Sequence, residues 1–149
     1  MLTYDRNTST TQDILTQLTA CDSTFSPPLS TRTDLQTYAA KLHSTSDRFE
    51  AWEGTALVGL VAAYCNAPDR GAAFVTSVSV LPEQTARGIA ARLMSDCIAH
   101  AADLGFTRLE LEVSAEATAA LRLYERLGFA LLAESPKDEG TLHLIRALS

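Results

Sequence analysis

Hydrophobic and polar residues follow two different periods along the chain, and each period predicts one type of element. Segments that are apolar throughout, or that alternate apolar and polar residues, predict strands. These segments are 2–6, 49–52, 57–64, 72–80 and 108–113. Two further segments, 130–134 and 141–147, flank a turn at 136–140 and predict a closing hairpin.

Apolar residues at steps of three and four predict four helices. The helices are expected at 11–21, at 33–43, from Gly88 to about residue 104, and at 116–127. Gly105 and Gly128 follow the third and fourth of these segments, where a glycine commonly ends a helix. The order of strands and helices predicts an α/β or α+β layered fold in a single domain of residues 1–149.

Length and composition limit the classes of partner. The 149 residues hold 12 Lys and Arg against 18 Asp and Glu, a formal net charge of −6. Such a chain has no overall positive field to attract nucleic acid or an anionic membrane. The longest apolar runs are too short to cross a bilayer, and the first residues do not resemble a signal peptide. We therefore expect a cytoplasmic protein without nucleic-acid or membrane partners.

The metal-ligating and nucleophilic residue types are scattered. Cys21, Cys65 and Cys97 form no CxxC pair, and the three histidines form no HExxH motif. The sequence therefore predicts reduced thiols and no metal site. Cys65 as a nucleophile that carries a covalent intermediate is a minor alternative to three inert thiols, because no His or Asp partner lies at a recognisable spacing.

One strand, turn and helix could bind an anion. The strand that ends at Val80 is followed by Arg87 and by Gly88, which opens the longest predicted helix. The unpaired N–H groups of a helix N-terminus attract anions, and a glycine lets a ligand approach the backbone closely. Gly88 alone is equally consistent with a tight turn, and neither GxGxxG nor GxxxxGK[ST] is present.

Two segments, one at this position and one beyond it, carry a resemblance to a known family. The first is Val80-Leu81-Pro82-Glu83, followed by Thr85-Ala86-Arg87-Gly88-Ile89-Ala90. It is similar to the segment that binds acyl-CoA in the GNAT superfamily of N-acetyltransferases. Leu111-Glu112-Val113 and the segment Leu-Arg-Leu-Tyr-Glu-Arg-Leu-Gly-Phe at 121–129 continue the likeness. The resemblance covers 73–132 well and the first 45 residues only in element order. It implies a mixed sheet of six to seven strands, helices on both faces and two splayed parallel strands at the centre.

The resemblance also implies how acetyl-CoA would bind as the acyl donor. The pyrophosphate would lie on the amides of Gly88, Ile89 and Ala90 beside Arg87. The pantetheine would lie between the strands that end at Val80 and Val113, with an amide near Ser79 or Val80 donating to the thioester oxygen. Thr85 and Ala117 are also candidate cofactor-binding residues by the resemblance, although both depart from the family pattern: Thr85 replaces the usual Arg or Gln, and Ala117 replaces the usual Asn.

The same resemblance supplies candidates for acid and base. Glu112 is the candidate base, with Glu110 as second choice, and Tyr124 is the candidate acid that protonates the departing thiolate. The alternatives are structural. The two glutamates could lie on an open sheet face beside Arg108, and Tyr124 could serve only in helix packing.

Together these features predict an acetyl-CoA-dependent N-acetyltransferase that acts on the primary amine of a small molecule or amino sugar, by direct transfer in a ternary complex. The alternatives are a peptide or protein N-terminal acetyltransferase and a non-catalytic acyl-CoA-binding module. Net negative charge favours a cationic acceptor. The protein is expected as a monomer or a homodimer paired through strand 141–147. The candidate acceptor residues are Asp22, Phe25, Tyr64, Asn66 and Asp69.

Overall fold

One mixed sheet with helices on both faces makes up the computed structural model, which describes residues 1–25, 28–134 and 140–148. The strands are β1 (Leu2–Arg6), β2 (Asp47–Glu53), β3 (Ala56–Tyr64), β4 (Ala72–Val80), β5 (Arg108–Ser114), β6 (Ala130–Glu134) and β7 (Thr141–Ala147). The helices are α1 (Thr11–Cys21), α2 (Leu35–Thr45), α3 (Ile89–Asp103) and α4 (Thr118–Arg126). Short 3₁₀ helices lie at Asp22–Thr24, Leu29–Thr31 and Pro82–Gln84.

The strands are ordered β1-β2-β3-β4-β5-β7-β6 in space. Within the described residues, β4 and β5 form the one parallel pair, and the remaining neighbours are antiparallel. The predicted fold class, a mixed sheet with helices on both faces, is confirmed. Because β7 lies between β5 and β6, both of its edges are already paired, so the prediction of a homodimer paired through this strand is wrong.

Local signals place most element boundaries where the pattern predicted them. The amide of Phe106 bonds to the carbonyl of Ala101, and the amide of Phe129 bonds to that of Tyr124. These bonds are the helix-ending pattern expected around Gly105 and Gly128. Helix α2 begins two residues later than predicted, because the Asp34 carboxylate accepts from the Thr37 amide at 2.9 Å and caps the helix. Helix α4 also begins two residues later, after Ala117.

Two apolar clusters divide the helices between the faces of the sheet. One cluster joins α3 and α4 to the sheet through residues such as Leu93, Met94, Leu109 and Tyr124. The other joins α1 and α2 to β3 through residues such as Ile14, Leu42 and Leu60. Any ligand that passes between two strands therefore meets α3 and α4 on one side and α1 and α2 on the other.

A buried ion pair fixes α1 and α2 to β2. Glu50 accepts hydrogen bonds from the backbone amides of Thr8 and Ser9 at 3.0 and 2.9 Å, and also from both of their hydroxyls. Arg48 lies 3.6 Å from Glu50 and donates to the carbonyls of Leu42 and His43 near the end of α2. These groups satisfy backbone atoms that would otherwise be buried without partners.

Neither a membrane-spanning helix nor a cluster of metal-ligating side chains is found in the part of the chain that the structure describes. The longest helix, α3, has 15 residues, and no described helix is long and apolar enough to cross a bilayer. No group of three or more His, Cys, Asp and Glu side chains among those residues is arranged to hold a metal ion. All three cysteines are buried thiols.

Candidate active site

A cleft opens where β4 and β5 separate. The two strands pair in parallel only between residues 72–75 and 108–111, although both continue beyond that register. A cavity of about 570 Å³ occupies the gap and is lined by residues 74–78 and 111–114 of the two strands. Side chains of α2 reach it from one face, and Ala117, Ala120 and Tyr124 reach it from the other. The cleft therefore connects the two faces of the sheet.

A bulge in β4 creates this separation. Val75 pairs with Ala63 and Ser77 pairs with Ala62, so Thr76 has no partner in β3. A bulge of this kind bends the strand and shifts its alternation by one residue. Strict alternation along 72–80 would put Phe74, Val78 and Val80 on one face with Thr76. Because of the bulge, Val78 and Val80 instead share the α3 face with Val75, while Ser77 and Ser79 face α1 and α2.

The hydrogen-bond pattern of β4 decides which amides face the cleft. The Leu81 amide donates to the Val58 carbonyl of β3 at 3.0 Å. Amides of alternate residues point to the same neighbour, so the Ser79 amide also points to β3, and the amides of Val78 and Val80 point away from β3, toward the side where the cleft opens. The carbonyl and hydroxyl of Ser79 instead accept from the amide of the Gln17 side chain. Val78, which the sequence did not single out, lines the cavity, whereas Ser79 and Val80 are not among its lining residues.

A buried hydroxyl on the cleft wall lacks a partner among the described residues. Ser77 lines the cavity, and its Oγ is buried without a hydrogen bond. An unsatisfied buried hydroxyl costs free energy unless a ligand or water pairs with it. A polar chain such as pantetheine fits this wall, because it would meet Ser77 and the strand amides that lack a partner strand.

The loop before α3 presents backbone amides to solvent. Gly88 has a φ of +75° and caps the helix without a side-chain hydrogen bond. A Cβ at this position would meet nothing within 4 Å, so the space above Gly88 is open. The amides of Ile89, Ala90 and Ala91 have no acceptor within the helix, and they carry its partial positive charge.

Side chains around this loop are engaged with the protein itself. The Thr85 hydroxyl donates to the Pro82 carbonyl at 3.0 Å. The Arg87 guanidinium lies 3.1 Å from the Glu53 carboxylate and 2.5 Å from the Gln84 side-chain oxygen. In this arrangement the backbone amides at the start of α3 are the groups of the loop that remain available to a ligand.

Tyr124 lies on the α4 side of the cleft, and its ring is fixed by packing against a neighbouring aromatic side chain. Its ring packs edge-to-face against Phe129 with centroids 5.8 Å apart, in the same turn whose hydrogen bonds end α4. The side chain is only 5% exposed, and burial raises the pKa of the phenol to about 12. Among the described residues no group hydrogen-bonds to its hydroxyl, so a protonated donor lines the cavity.

The two glutamates of β5 have different surroundings. Glu110 lies 2.6 Å from both Arg108 and His143. Burial alone would raise the Glu110 pKa, but the hydrogen bonds from Arg108 and His143 hold it below its usual range. Glu112 is exposed, lines the cavity and has no ion pair with any described residue. Of the two, Glu112 is the carboxylate that faces the cleft.

Residue Ala117 opens α4 on the wall of the cavity. Its amide donates to the Ser114 carbonyl at 3.0 Å, and its carbonyl accepts from the Leu121 amide at 2.9 Å. Its methyl group gives this part of the wall no polar side chain, where the resemblance implies an Asn. Recognition at this point is therefore left to the backbone and to neighbouring side chains.

Of the predicted acceptor residues, Phe25 lines the cavity, whereas Asp22, Tyr64, Asn66 and Asp69 do not. Asp22 is bonded to the amide and hydroxyl of Ser30, which lowers its pKa, and Asp69 accepts from the Gly71 amide. Cys65 also lies outside the cavity, and burial raises the pKa of its thiol to about 11. Asp22 and Asp69 therefore stabilise turns, and Cys65 belongs to the core.

Residues that the sequence did not single out complete the acceptor side. Arg32, Thr37, Tyr38 and Lys41 line the cavity from the segment before α2 and from α2 itself. Tyr38 Oη lies 3.1 Å from the Thr76 carbonyl and 2.6 Å from the Thr76 hydroxyl, at the bulge. In the sequence, the helical spacing of Tyr38 predicts only a core residue. The contact of its hydroxyl with Thr76 could not be predicted, because it depends on the bulge in β4.

Comparison with known proteins adds independent evidence to this geometry. The model of the acetyltransferase (GNAT) family matches residues 13–129. No curated protein matches the chain.

Solved structures of acetyltransferases share the fold over essentially the whole chain. The ribosomal-protein-S18-alanine N-acetyltransferase of Escherichia coli superposes with a TM-score of 0.78 at 20% identity, covering 100% of this chain and 95% of that one. A Salmonella typhimurium structure containing its cofactor acetyl-CoA gives 0.78 at 17% identity, covering 99% and 94%. A GNAT-family acetyltransferase of Streptococcus pneumoniae gives 0.75 at 14% identity, covering all of both chains. The chain belongs to the GNAT family of acetyltransferases.

Proposed function

We propose that this protein transfers the acetyl group of acetyl-CoA directly to a primary amine of a small molecule. The observation that carries the proposal is the cleft between β4 and β5. It has outward-facing strand amides at Val78 and Val80, a protonated Tyr124 across the gap, and access from both faces of the sheet. A donor on the α3 and α4 face and an acceptor on the α2 face can meet there.

The donor is held mainly by backbone groups. The amides at the start of α3 bind the pyrophosphate oxygens, and Gly88 lets those oxygens come close. Arg87 can exchange the Glu53 carboxylate for a phosphate oxygen, since both partners are exposed and such a pair adds little stability. The Val78 and Val80 amides and the Ser77 hydroxyl bind the chain that enters the cleft.

Three groups then serve the transfer. Glu112 removes the proton of the amine through water, so that the neutral nitrogen can attack the carbonyl carbon. The Val78 amide donates a hydrogen bond to the carbonyl oxygen as negative charge develops there. Tyr124 donates its proton toward the sulfur, which takes the electron pair of the broken C–S bond.

A panel of amines tests the proposal together with a glycine variant. Release of free thiol from acetyl-CoA should depend on a primary amine, and acetyl-CoA should raise the melting temperature of the wild type. Gly88→Leu should abolish that thermal shift, because the side chain would project into the open space above the amides and any L-residue is strained at this φ.

Gly105→Leu is the matched control. Gly105 lies at the other end of α3, has a φ of +89° and faces equally open space. Gly105→Leu should lower the melting temperature of the free protein by about as much as Gly88→Leu does, and it should leave the thermal shift with acetyl-CoA intact. A shift without thiol release on any amine would instead favour a non-catalytic acyl-CoA-binding module. An unaltered shift in Gly88→Leu would contradict the placement of the pyrophosphate.

Replacement of the candidate base should move the pH profile. Glu112→Gln is expected to lower kcat/KM at neutral pH by about tenfold and to shift the profile to higher pH, because the reaction then depends on amine that is already neutral in solution. The effect is modest because Glu112 is exposed and acts through water. Steady-state rates between pH 6 and 10 give the measurement.

Glu110→Gln provides the control on the same strand. Glu110 has Arg108 and His143 as partners and does not line the cavity, so its variant should keep the wild-type profile. A profile that shifts in Glu110→Gln and not in Glu112→Gln would transfer the role of base to Glu110.

A further inference from the structure

The charge inside the cavity differs from that of the chain as a whole. The protein carries a formal net charge of −6. Among the described residues that line the cavity, the charged ones are Arg32, Lys41 and Glu112, so cations outnumber anions there. Both cations lie on the acceptor side, before and within α2, whereas Glu112 lies on β5.

The two cations lack carboxylate partners among the described residues. Arg87, Arg92 and Arg108 each lie within about 3 Å of a carboxylate oxygen of a neighbouring side chain. Arg32 forms no ion pair with any described residue, and the Lys41 ammonium lies 5.3 Å above the Tyr64 ring. Other described arginines, such as Arg6 and Arg70, also lack an ion pair. What distinguishes Arg32 and Lys41 is that both line the cavity, where they are available to an anionic ligand group.

The position of Arg32 can be defined further through Tyr38. Burial raises the pKa of Tyr38 to about 12, with the hydrogen bond to Thr76 and the positive charge of Arg32 opposing the rise. Arg32 lines the cavity together with Tyr38, whose hydroxyl contacts the bulge of β4. The two residues border the cavity from the segment before α2 and from α2 itself, on the face opposite Tyr124.

From this arrangement we infer that the amine acetylated here carries a carboxylate, which Arg32 and Lys41 bind while Glu112 receives the amino group. The inference rests on the proposed function and names its substrate class, small amino acids and related amino carboxylates. A guanidinium suits a carboxylate because it donates two parallel hydrogen bonds. The cavity, at about 570 Å³, has room for such a molecule at its acceptor end. The expectation of a purely cationic acceptor, drawn from net charge, is thereby replaced by a zwitterionic one.

Matched pairs of amines test the inference. Each of several amino acids is compared with its own carboxamide, which retains the amine and loses the carboxylate, with thiol release as the readout. The wild type should show kcat/KM at least tenfold higher for the acid of the preferred pair. The amide has the more readily deprotonated amine, so intrinsic reactivity would favour the opposite order.

Two variants locate the carboxylate site. Arg32→Gln and Lys41→Gln should each raise KM for the preferred amino acid by about tenfold, with little change in KM for its carboxamide. Arg6→Gln removes one positive charge from β1, outside this cavity, and should leave both values unchanged. The thermal shift with acetyl-CoA should stay at the wild-type value in all three variants.

The outcomes separate this inference from the proposed function. Turnover of amides and uncharged amines as fast as of amino acids would overturn the carboxylate site and leave the acetyltransferase proposal intact. Faster turnover of a tripeptide amide than of any amino acid would also overturn it, in favour of a peptide N-terminus. Absence of turnover on every amine would overturn both.

Discussion

Tyr124→Phe is expected to lower kcat by about 100-fold and to leave acetyl-CoA binding nearly unchanged. General acid catalysis by a positioned side chain typically contributes factors of about 10² to 10⁴. The ring of Tyr124 is buried against Phe129, so the substitution retains the packing and removes only the hydroxyl. Because burial raises the pKa of this phenol to about 12, the loss should be constant between pH 6 and 9.

The measurement combines turnover with calorimetry. A fall in kcat with an unchanged Kd for acetyl-CoA is the pattern of an interaction made at the transition state. Tyr4→Phe is the control, because Tyr4 lies on β1, where its ring stacks under Arg92, and its hydroxyl is remote from the cleft. Wild-type turnover in Tyr124→Phe would leave the residue a packing role alone.

The sequence was most informative where one short segment determines the structure. Gly105 and Gly128 ended their helices as predicted, because the hydrogen bonds that close a helix involve neighbours within five residues. The bounds of β4 were also correct, since nine residues without Gly or Pro favour an extended strand. Tyr124 could be placed on the cleft because a family motif fixes its helix relative to the sheet.

Features that depend on pairing between distant segments could not be read in this way. Nothing in 72–80 marks Thr76 as the bulged residue, since the bulge appears only in the register with β3. That one shift decides which face the side chains of Val78 and Val80 occupy. It also makes Val78, rather than Ser79, the residue whose amide faces the cleft. Arg87 could be read as a phosphate ligand from sequence, but its contact with Glu53 joins residues 34 positions apart.

Net charge and the charges that line the cavity lead to different expectations for the acceptor. Charges on a surface act through water and salt, so a distant excess is screened within about 10 Å. Groups inside the cleft act over shorter distances and with less water between them. Arg32 and Lys41 therefore carry more information on the acceptor than the remaining charges. Their position at the cavity could not be predicted from the sequence, because it depends on how α2 packs against the sheet.

Glu50→Ala should cost about 3–5 kcal/mol of unfolding free energy, the range for removing one partner of a buried ion pair. The loss has two causes. Arg48, only 4% exposed, keeps its charge without a carboxylate, and the amides and hydroxyls of Thr8 and Ser9 lose their acceptor. Urea denaturation measures the unfolding free energy directly. If the alanine variant does not fold, Glu50→Gln takes its place in this measurement.

An exposed pair of the same chemistry supplies the control. Glu53→Ala removes the carboxylate partner of Arg87, with both side chains about 40% exposed, and should cost less than about 1 kcal/mol. Equal losses in the two variants would contradict the structural role assigned to Glu50.

Acid should remove the advantage of the wild type over Glu50→Gln. Burial alone would raise the pKa of Glu50, but the hydrogen bonds from Ser9 and Thr8 outweigh it and hold the pKa below the usual value of a glutamate. A carboxyl group with a lowered folded-state pKa stabilises the fold above its unfolded-state pKa of about 4.3, and the contribution falls as pH drops toward the folded-state pKa. The difference in unfolding free energy between wild type and Glu50→Gln should therefore be constant from pH 6 to 8 and shrink below about pH 4. A difference that stays constant through that acid range would show that the carboxylate is not stabilised by these hydrogen bonds.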